Sequence, residues 1–392
     1  MKVAILYFGK SVFTRERAYH SRDVVSRDND VLFIEMGENG NSFVRRFFIE
    51  MKTIYKIYRK KINVVHLHDQ SFLFPFFMGP LKRKGTIFVY DTGNIHSKTV
   101  EIQGHSKLIV SLVRFAEKLT IKNSNYVISR GIYLKQILEN IRGKIGWVYY
   151  IPDPVNVKAL KDIPVDLARD RVGISKDKFV IGYTSNMVQI KVGDKFFPRG
   201  WELVEVLTKF LNRGIQNVEV VFIGSGTGLD ALRRYVSAKG VEKFCTFTGF
   251  VSNEKYPYFL KSLDVGFMED YDNVQYKTSI GAKVQEYMAS GKIVVTGSNP
   301  EKLHLLAPSQ GNELLFVPQK LTNDEEINKY VDQAFDIFWK IYKDYDKFRL
   351  VGIRNEERAL MMFDYPVVAD LVAALYREIR LNLLKLPESR LI

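Results

Sequence analysis

The sequence predicts an α/β protein made of two doubly wound, Rossmann-like domains. Its 392 residues exceed the size at which a single hydrophobic core stops growing, so two domains are expected. Short β-branched runs alternate with amphipathic segments of helical length along the whole chain. These runs form two series of six, separated near "IPDPVNVKALKDIPVDLARDRVGI", where prolines and charges interrupt the pattern.

The predicted strands follow in chain order. The first series is "KVAILYF", "DVLFIEM", "NVVHLH", "TIFVYD", "NYVIS" and "GWVYYIP", and the second is "FVIGYTS", "VEVVFIG", "CTFTGF", "DVGFME", "KIVVTG" and "LLFVP". Because helix-length segments separate the strands, we expect two six-stranded parallel sheets, each covered by helices. Such domains bind ligands at the carboxyl ends of their strands, where the amino termini of helices also point.

Composition restricts the compartment. The single cysteine, Cys245, excludes an internal disulfide and a cysteine-based zinc site, which fits a reducing compartment. The apolar run in "MKVAILYFGK" is too short for a signal peptide, and no stretch approaches the roughly 18 to 20 apolar residues of a membrane span. We therefore expect a cytoplasmic protein.

The charge of the chain favours an anionic partner. There are 58 Lys and Arg residues against 44 Asp and Glu, a net charge of +14, which suits a nucleotide, a nucleic acid or anionic lipid headgroups. Residues 43–61 combine apolar side chains at helical spacing with cations on the other faces, a pattern that fits a helix on an anionic membrane surface. A packed helix with a solvated basic face is an equally good interpretation. No nucleic-acid-binding motif accompanies the charge, so nucleic acid is disfavoured.

A glycine-rich turn follows one strand of the second series. In "VEVVFIGSGTGLDALRRYV", Gly224, Gly226 and Gly228 would let backbone amides approach an anion that the following helix dipole favours. A dinucleotide-binding domain also requires an acidic residue about 20 positions later, where this chain has "TFTG". An NAD-dependent enzyme is therefore a minor alternative, and a purely structural turn is another.

The order of these elements indicates a family. The segment "VFIGSGTGLDALRRYV" through "DVGFMED", followed by "GAKVQEYMASGKIVVTG", resembles the carboxyl-terminal domain of the retaining GT-B glycosyltransferases of family 4, the group 1 type. The resemblance covers roughly Phe179 to Gly297 well and the rest more loosely. It implies two domains facing a central cleft, a UDP- or GDP-sugar as co-substrate, a hydroxyl acceptor on a glycan, a lipid carrier or a small molecule, and no cofactor or metal.

The resemblance also implies domain boundaries. We expect an acceptor-side domain at 1–165, a nucleotide-sugar-binding domain at 166–362, and a closing helix at 363–392 that crosses back to the first domain. The segment "FDYPVVADLVAALYREI" resembles that closing helix.

By the same resemblance, Glu286 is expected to bind the ribose, since a carboxylate accepts hydroxyl protons. Lys283 lies three residues earlier on the same helix face and could reach a phosphate. The alternative for Glu286 is a surface salt bridge with Lys283. The other donor-binding candidates on the family pattern are Gly9, Gly224, Phe250, Val251, Ser279, Ile280 and Gly281.

Three positions depart from the common family pattern. Thr278 stands where a first glutamate often contacts the donor sugar, which puts the identity of the sugar in question. Asn186 stands where an arginine is expected, and Arg199 replaces a lysine. Arginine can still clamp a phosphate with its fork of donors, and Lys191 or Lys195 could supply the missing charge.

The first domain is expected to hold the acceptor, through His66, His68 and Asp69 at the end of a strand. The two histidines alternate onto the same side of that strand, but the sequence reveals no third ligand for zinc. In "VYDTGNIHS", Gly93 occupies the position of the family's active-site histidine, so Asn94 or His96 must replace it. The Asp-x-Asp triplet that begins at Asp270 is expected to be a loop.

The resemblance implies that the acceptor hydroxyl attacks from the face that the diphosphate leaves. Cations and helix-terminal amides would stabilise the departing diphosphate. The catalytic candidates are then His96, Asn94, Arg199 and Lys283. Two other readings remain open at the level of sequence: a non-catalytic GT-B partner or membrane-surface protein that has lost its chemistry, and a nucleotide-sugar epimerase.

Overall fold

The structure is a computed structural model in which the chain forms two compact units. The first unit is Met1–Pro154 together with Tyr365–Ile392, and the second is Val155–Asp364. The family resemblance implies domain boundaries after residues 165 and 362. The described residues are 1–8, 12–36, 43–71, 73–102, 104–143, 147–279 and 281–384.

The first unit contains a six-stranded parallel sheet. Its strands are β1 (Lys2–Tyr7), β2 (Asp30–Glu35), β3 (Val64–His68), β4 (Ile87–Thr92), β5 (Tyr126–Ser129) and β6 (Val148–Tyr150). They lie in the order β2-β1-β3-β4-β5-β6, and every pairing is parallel. The six strands predicted for the amino-terminal half are thus confirmed, and the change of direction beside β1 is typical of a doubly wound sheet.

Helices cover this sheet because each parallel connection must cross it. The helices are α1 (Val12–Val25), α2 (Phe43–Arg59), α3 (Phe74–Arg83), α4 (His96–Ile102), α5 (Lys107–Asn123) and α6 (Ile132–Arg142). Helix α3 packs against both α2 and α5. The core between sheet and helices is aliphatic and aromatic, with Leu67, Phe88 and Val127 fully buried.

The second unit contains a second six-stranded parallel sheet and a small hairpin. The sheet strands are β7 (Phe179–Thr184), β10 (Val218–Ile223), β11 (Cys245–Phe247), β12 (Val265–Phe267), β13 (Ile293–Gly297) and β14 (Leu315–Phe316), and the hairpin strands are β8 (Gln189–Val192) and β9 (Lys195–Pro198). The sheet order is β11-β10-β7-β12-β13-β14. The second series of six predicted strands is also confirmed. The antiparallel hairpin lies in "QIKVGDKFFP", which the alternating pattern did not predict to be strand.

The helices of the second unit begin inside the predicted linker. They are α7 (Val157–Lys161), α8 (Val165–Val172), α9 (Trp201–Asn212), α10 (Leu229–Ala238), α11 (Tyr256–Ser262), α12 (Val274–Thr278), α13 (Ala282–Ala289), α14 (Pro300–Gln310), α15 (Asp324–Lys343) and α16 (Tyr345–Phe363). Helix α8 packs against α11, and α7 packs against α16. These contacts place the proline-rich segment in the second unit.

The last helix, α17 (Tyr365–Leu384), returns to the first unit. It packs against α1, the Tyr376 hydroxyl lies 3.0 Å from His66 Nδ1, and Tyr149 donates a hydrogen bond of 2.8 Å to Glu378. Across the described residues, no helix combines the length and apolar character that a bilayer span requires.

The turn after β10 packs tightly against the loop after β7. Gly224 has φ +128°, and a Cβ atom there would lie 2.1 Å from the carbonyl oxygen of Ser185. The loop and the turn are joined by hydrogen bonds from Met187 N to Ser225 O (3.0 Å) and from Gly228 N to Met187 O (2.7 Å). Glycine at this turn is therefore required by the close approach of two backbone segments.

This packing predicts the effect of Gly224→Ala. The added methyl group would force the two loops apart in a backbone conformation that only glycine adopts freely, so we expect a loss of about 2 to 4 kcal/mol in the free energy of unfolding. Urea unfolding measures it. Gly240→Ala is the control, because Gly240 has φ +68° with open space around it, and a loss of about 1 to 2 kcal/mol is expected there. Equal losses in the two variants would contradict the close packing.

Candidate functional site

The candidate donor site lies at the carboxyl ends of the second sheet's strands. Loop 185–188 follows β7, turn 224–228 follows β10, and loop 248–251 follows β11. The turn and the last loop are joined by an isolated antiparallel bridge between Gly224 and Gly249. Parallel strands end at one edge of a sheet, so the sequence positions chosen for nucleotide binding in these loops share that edge.

Within this edge the glycine-rich turn already has protein partners. The amide of Gly224 donates to Thr248 Oγ1 at 3.2 Å, and the amide of Gly228 donates to the carbonyl of Met187. Two amides that could have held an anion are therefore engaged within the fold. A donor-binding role for Gly224 stays a prediction, while its packing role is observed.

The side chains nearest to this edge differ in exposure. Phe250 is 82% exposed, Asn186 is also exposed, and Val251 is partly buried. An exposed aromatic ring beside a nucleotide site can stack on the flat face of a base. The sequence selected Phe250 for its main chain, and the structure shows that its side chain is also available.

Helix α13 carries the central cluster of the candidate site. Lys283 Nζ lies 3.2 Å from Glu286 Oε2, and the same carboxylate oxygen accepts a hydrogen bond from the Tyr256 hydroxyl. Lys283 Nζ also lies 5.3 Å from the centroid of the Tyr256 ring. Both charged side chains are largely buried. The sequence pattern indicated Lys283 and Glu286 but missed Tyr256, which begins α11.

Tyr256 fixes the orientation of the Glu286 carboxylate. Burial, followed by the charge of Glu286, raises the pKa of Tyr256 well above its ordinary value, so its hydroxyl keeps its proton and donates a hydrogen bond to the carboxylate. Glu286 is thus held by a cation on its own helix and by a neutral donor on α11. Such a carboxylate is preorganised to accept further hydroxyl protons.

Arg199 belongs to a second cluster, of which the sequence indicated Arg199 but not its partner Glu269. Its Nε lies 3.0 Å from Glu269 Oε1, and Glu269 also accepts hydrogen bonds from the hydroxyls of Tyr183 (2.8 Å) and Tyr276 (3.2 Å). The charge of Glu269 raises the pKa of Arg199 above its ordinary value, so Arg199 is always a cation. Glu269, like Tyr256, was missed by sequence reasoning, and its signal in the sequence was an acidic residue two positions after a buried strand.

A third carboxyl group, Glu202, is fully buried behind this pair. It accepts a hydrogen bond from the hydroxyl of Tyr271. Burial, followed by repulsion from Glu269, raises the pKa of Glu202 to about 8. Glu202 therefore carries its proton at neutral pH, and Arg199 is balanced by one ionised carboxylate.

The segment before α13 is ordered by a buried ion pair. Lys302 Nζ lies 3.2 Å from Asp270 Oδ1, and both side chains have no exposed surface. The same ammonium donates to the carbonyls of Tyr276 and Ser279, each at 2.6 Å. The segment between β12 and α13 thus contains the short helix α12 and this buried charged anchor. Asp270 is consumed in this anchor, which agrees with the expectation that the Asp-x-Asp triplet is a loop.

The residues expected to contact the donor sugar are placed by this anchor. The Thr278 hydroxyl donates to the carbonyl of Val274 at 2.9 Å, so it is satisfied within α12. Gly281 has φ +70° and precedes the first turn of α13. Ile280 and Gly9, the other two donor-binding candidates of this kind, lie outside the described residues.

The first unit contains a buried charge network at the carboxyl ends of β3 and β4. Asp91 accepts hydrogen bonds from Arg17 Nε (2.8 Å) and from Arg130 Nε (3.1 Å), and Arg130 also reaches Asp69 at 3.3 Å. Burial alone would raise the pKa of Asp91, but Arg17 and Arg130 outweigh it and hold that pKa well below its ordinary value. Asp153, at 3.7 Å from Arg130, is the third carboxylate of the network.

His66 and His68 stack against each other inside this network. Their ring centroids lie 4.3 Å apart, as expected for alternate residues on one side of a strand. Neither ring has exposed surface, which leaves no ring atoms for direct contact with an acceptor. Together with Asp91 they place three possible metal ligands close together. Because Asp91 already binds two arginines, however, this environment disfavours an added cation.

His96 and Asn94 lie beside the exposed side of the network. His96 Nε2 is 3.9 Å from Asp69 Oδ1. His96 Nε2 and Asn94 Oδ1 are buried atoms without a hydrogen-bond partner among the described residues. The main-chain amide of His96 donates to Glu117 Oε1 at 2.6 Å, which fixes the start of α4. A Cβ at Gly93 would lie 2.9 Å from Arg130 Cδ, so Arg130 occupies the space that a side chain at position 93 would need.

The buried histidines predict a pH dependence of stability. Burial lowers the pKa of His66 and of His68 below the ordinary value of 6.5, so each ring takes up its proton at a lower pH in the folded state than in the unfolded state. Around and below pH 6.5 the unfolded state therefore binds more protons at these rings than the folded state does. Stability is therefore full above pH 6.5 and falls as the pH drops, by up to about 1.4 kcal/mol per pH unit for each histidine.

Urea unfolding between pH 7.5 and pH 5, values chosen to span the ordinary histidine pKa of about 6.5, measures this slope. The variant His68→Gln removes one titrating group and should flatten the slope. His105→Gln changes an exposed histidine and should leave it as in the wild type. A slope that is the same in all three proteins would refute the contribution of His68.

Comparisons with known proteins agree with the fold of the chain. Residues 201–345 match the family model "Glycosyl transferases group 1", a range that contains Glu202, Tyr256, Glu269, Lys283 and Glu286. No match was found among curated protein sequences. HepE from Anabaena, solved in complexes with UDP and with UDP-glucose, has a TM-score of 0.67 at 15% and 14% identity, covering 96% of this chain and 100% of that chain.

Two further solved structures share the fold over nearly their whole length. Sucrose-phosphate synthase from Thermosynechococcus elongatus has a TM-score of 0.72 at 16% identity, covering 97% of this chain and 100% of that chain. WaaG, a glycosyltransferase involved in lipopolysaccharide biosynthesis, has a TM-score of 0.67 at 12% identity, covering 95% and 99%. The chain therefore has the GT-B fold, and residues 201–345 of its second unit match the glycosyltransferase group 1 model.

Proposed function

We propose that this protein is a retaining glycosyltransferase that transfers a sugar from a UDP-sugar to a hydroxyl acceptor. The observation that carries the proposal is the Glu286 carboxylate on α13, oriented by Lys283 and Tyr256 at the edge of the sheet where doubly wound domains bind nucleotides. The match of residues 201–345 to the group 1 family supports the transferase class. The UDP complexes of HepE favour uridine over guanosine.

In this proposal each part of the donor has a partner on the second unit. The ribose hydroxyls donate to Glu286, since an ionised carboxylate is the strongest acceptor among side chains. The uracil lies against the loop of Phe250 and Val251. The diphosphate is held by Lys283, by Arg199 and by the first amides of α13, where the helix dipole favours negative charge.

The transfer step exchanges one glycosidic bond for another. The acceptor oxygen forms a bond to the anomeric carbon while the bond from that carbon to the diphosphate breaks. The leaving UDP takes the electron pair, and its departing phosphate oxygen takes the acceptor proton. Attack on the face that the diphosphate leaves retains the anomeric configuration. Lys283 and Arg199 stabilise the charge that develops on the diphosphate, so a divalent metal is not required.

We assign the acceptor to the first unit. Of the residues expected there, Asp69, Asn94 and His96 border the charge network, and His66 and His68 support it from within. Asn94 and His96 present buried polar atoms without a hydrogen-bond partner among the described residues, which an acceptor hydroxyl could satisfy. We further propose a cytoplasmic location, as the lone cysteine suggested.

The first test of this proposal is Glu286→Gln. The amide keeps the size of the side chain but loses the negative charge, so UDP binding should weaken about 10- to 100-fold, the range for losing a charged hydrogen bond. Calorimetric titration with UDP measures the dissociation constant. Glu325→Gln, an exposed residue of α15, is the matched control and should bind UDP as the wild type does. Failure of the wild type to bind UDP or any UDP-sugar would contradict the proposal.

A second test follows the stereochemistry and the metal requirement. With a mixture of hydroxyl acceptors, the product examined by NMR should have the anomeric configuration of the donor, and a chelator of divalent metals should leave the rate unchanged. Inversion at the anomeric carbon would refute retention. Conversion of the donor to another sugar nucleotide without any acceptor would indicate an epimerase, and binding without turnover would indicate a non-catalytic protein.

A further inference from the structure

Helix α5 exposes an apolar stripe on the side away from the core. Its buried residues include Val110, Val113 and Ala116, whereas Leu108, Leu112 and Phe115 are 70%, 60% and 55% exposed. The three exposed side chains are spaced four and three residues apart, so they form one line along the helix. A helix that is apolar on its outer side as well as its inner side is unusual for a protein surface facing only water.

The neighbouring helices extend this stripe. Phe76 of α3 is exposed and its ring centroid lies 6.4 Å from that of Phe115, and α3 packs against α2 as well as α5. Helix α2 adds Phe48, Tyr55 and Tyr58, all more than half exposed. We call the exposed side chains of α2, α3 and α5 the basic apolar face.

The charges on this face have one sign. Lys107, Arg114, Lys118 and Lys122 are exposed on α5, and Lys52, Lys56 and Arg59 are exposed on α2. One exposed acidic neighbour contacts this set: Glu101 of α4 pairs with Arg114 at 3.6 Å.

The acidic residues within the three helices are turned inward. They are Glu50, which is buried and accepts from the Ser71 hydroxyl, and Glu117, which is buried and accepts from the Ser97 hydroxyl. The described side chains of α2, α3 and α5 therefore expose no carboxylate.

We propose that the basic apolar face binds to the surface of an anionic lipid bilayer. The cations would lie among the lipid phosphates and the apolar side chains would enter the boundary with the acyl chains. A nucleic acid would satisfy the cations but would leave Leu108, Leu112 and Phe115 without an apolar environment, so the bilayer fits both features. The proposal is independent of sugar transfer, and it centres the contact on α5, whereas the sequence indicated only residues 43–61.

Flotation of the full-length protein with lipid vesicles tests this proposal. Vesicles of phosphatidylcholine mixed with phosphatidylglycerol should bind the protein at low salt and release most of it at high salt, whereas pure phosphatidylcholine should bind little. The double variant Leu112→Ser/Phe115→Ser should reduce the partition coefficient about tenfold or more, because both apolar side chains that would enter the acyl boundary are removed. Arg114→Gln/Lys118→Gln should reduce binding at low salt.

The matched control is Leu350→Ser/Ile353→Ser on α16, whose side chains are 50% and 52% exposed but lie in the second unit. It should bind vesicles as the wild type does, and circular dichroism checks that all variants are folded. Equal binding to neutral and anionic vesicles would overturn the proposal. Vesicle binding by Leu112→Ser/Phe115→Ser that equals wild-type binding would also overturn it. If duplex DNA then bound the protein as tightly as anionic vesicles do, the face would be a surface for polyanions in general.

Discussion

The buried ion pair between Lys302 and Asp270 is the interaction on which the candidate donor site depends most. Its ammonium group holds the carbonyls of Tyr276 and Ser279, which fixes the backbone just before α13. Removing either partner would leave an uncompensated charge in the core. The loss of folding free energy would then be far larger than the net contribution of the intact pair. The buried pair between Lys302 and Asp270 therefore helps to position Lys283 and Glu286, which follow on α13.

Each cation of the candidate site is accompanied by a carboxylate. Lys283 pairs with Glu286, and Arg199 pairs with Glu269. Both cations therefore already have a carboxylate partner within the fold. This pairing holds the side chains in place before a ligand arrives, and a diphosphate would have to share these cations with the carboxylates. The net positive charge lies in the first unit, whose sequence has 29 Lys and Arg residues against 16 Asp and Glu, whereas the second unit has 29 against 28. The net charge of +14 thus argues more for a surface partner than for the donor.

The sequence pattern predicted the features that depend on residues close together in the chain. The two series of strands were recognisable because buried parallel strands are continuous apolar runs, and the contact between Lys283 and Glu286 follows from their spacing of three residues. The partners that complete the site are distant in sequence: Tyr256 is 30 residues from Glu286, and Glu269 is 70 residues from Arg199. No periodicity connects such pairs. The hairpin β8–β9 and the five-residue α12 were missed because they are short and lie between stronger patterns.

Hydrogen–deuterium exchange with and without UDP tests most directly whether the carboxyl edge of the second sheet binds the nucleotide. If the carboxyl edge of the second sheet binds the nucleotide, UDP should slow exchange in peptides that cover 224–228, 249–251 and 281–286, and should leave the helices of the first unit unchanged. The Glu286→Gln protein should show little protection at the same UDP concentration. Protection confined to other parts of the chain, or none at saturating UDP, would contradict the assignment of this edge as a nucleotide-sugar site.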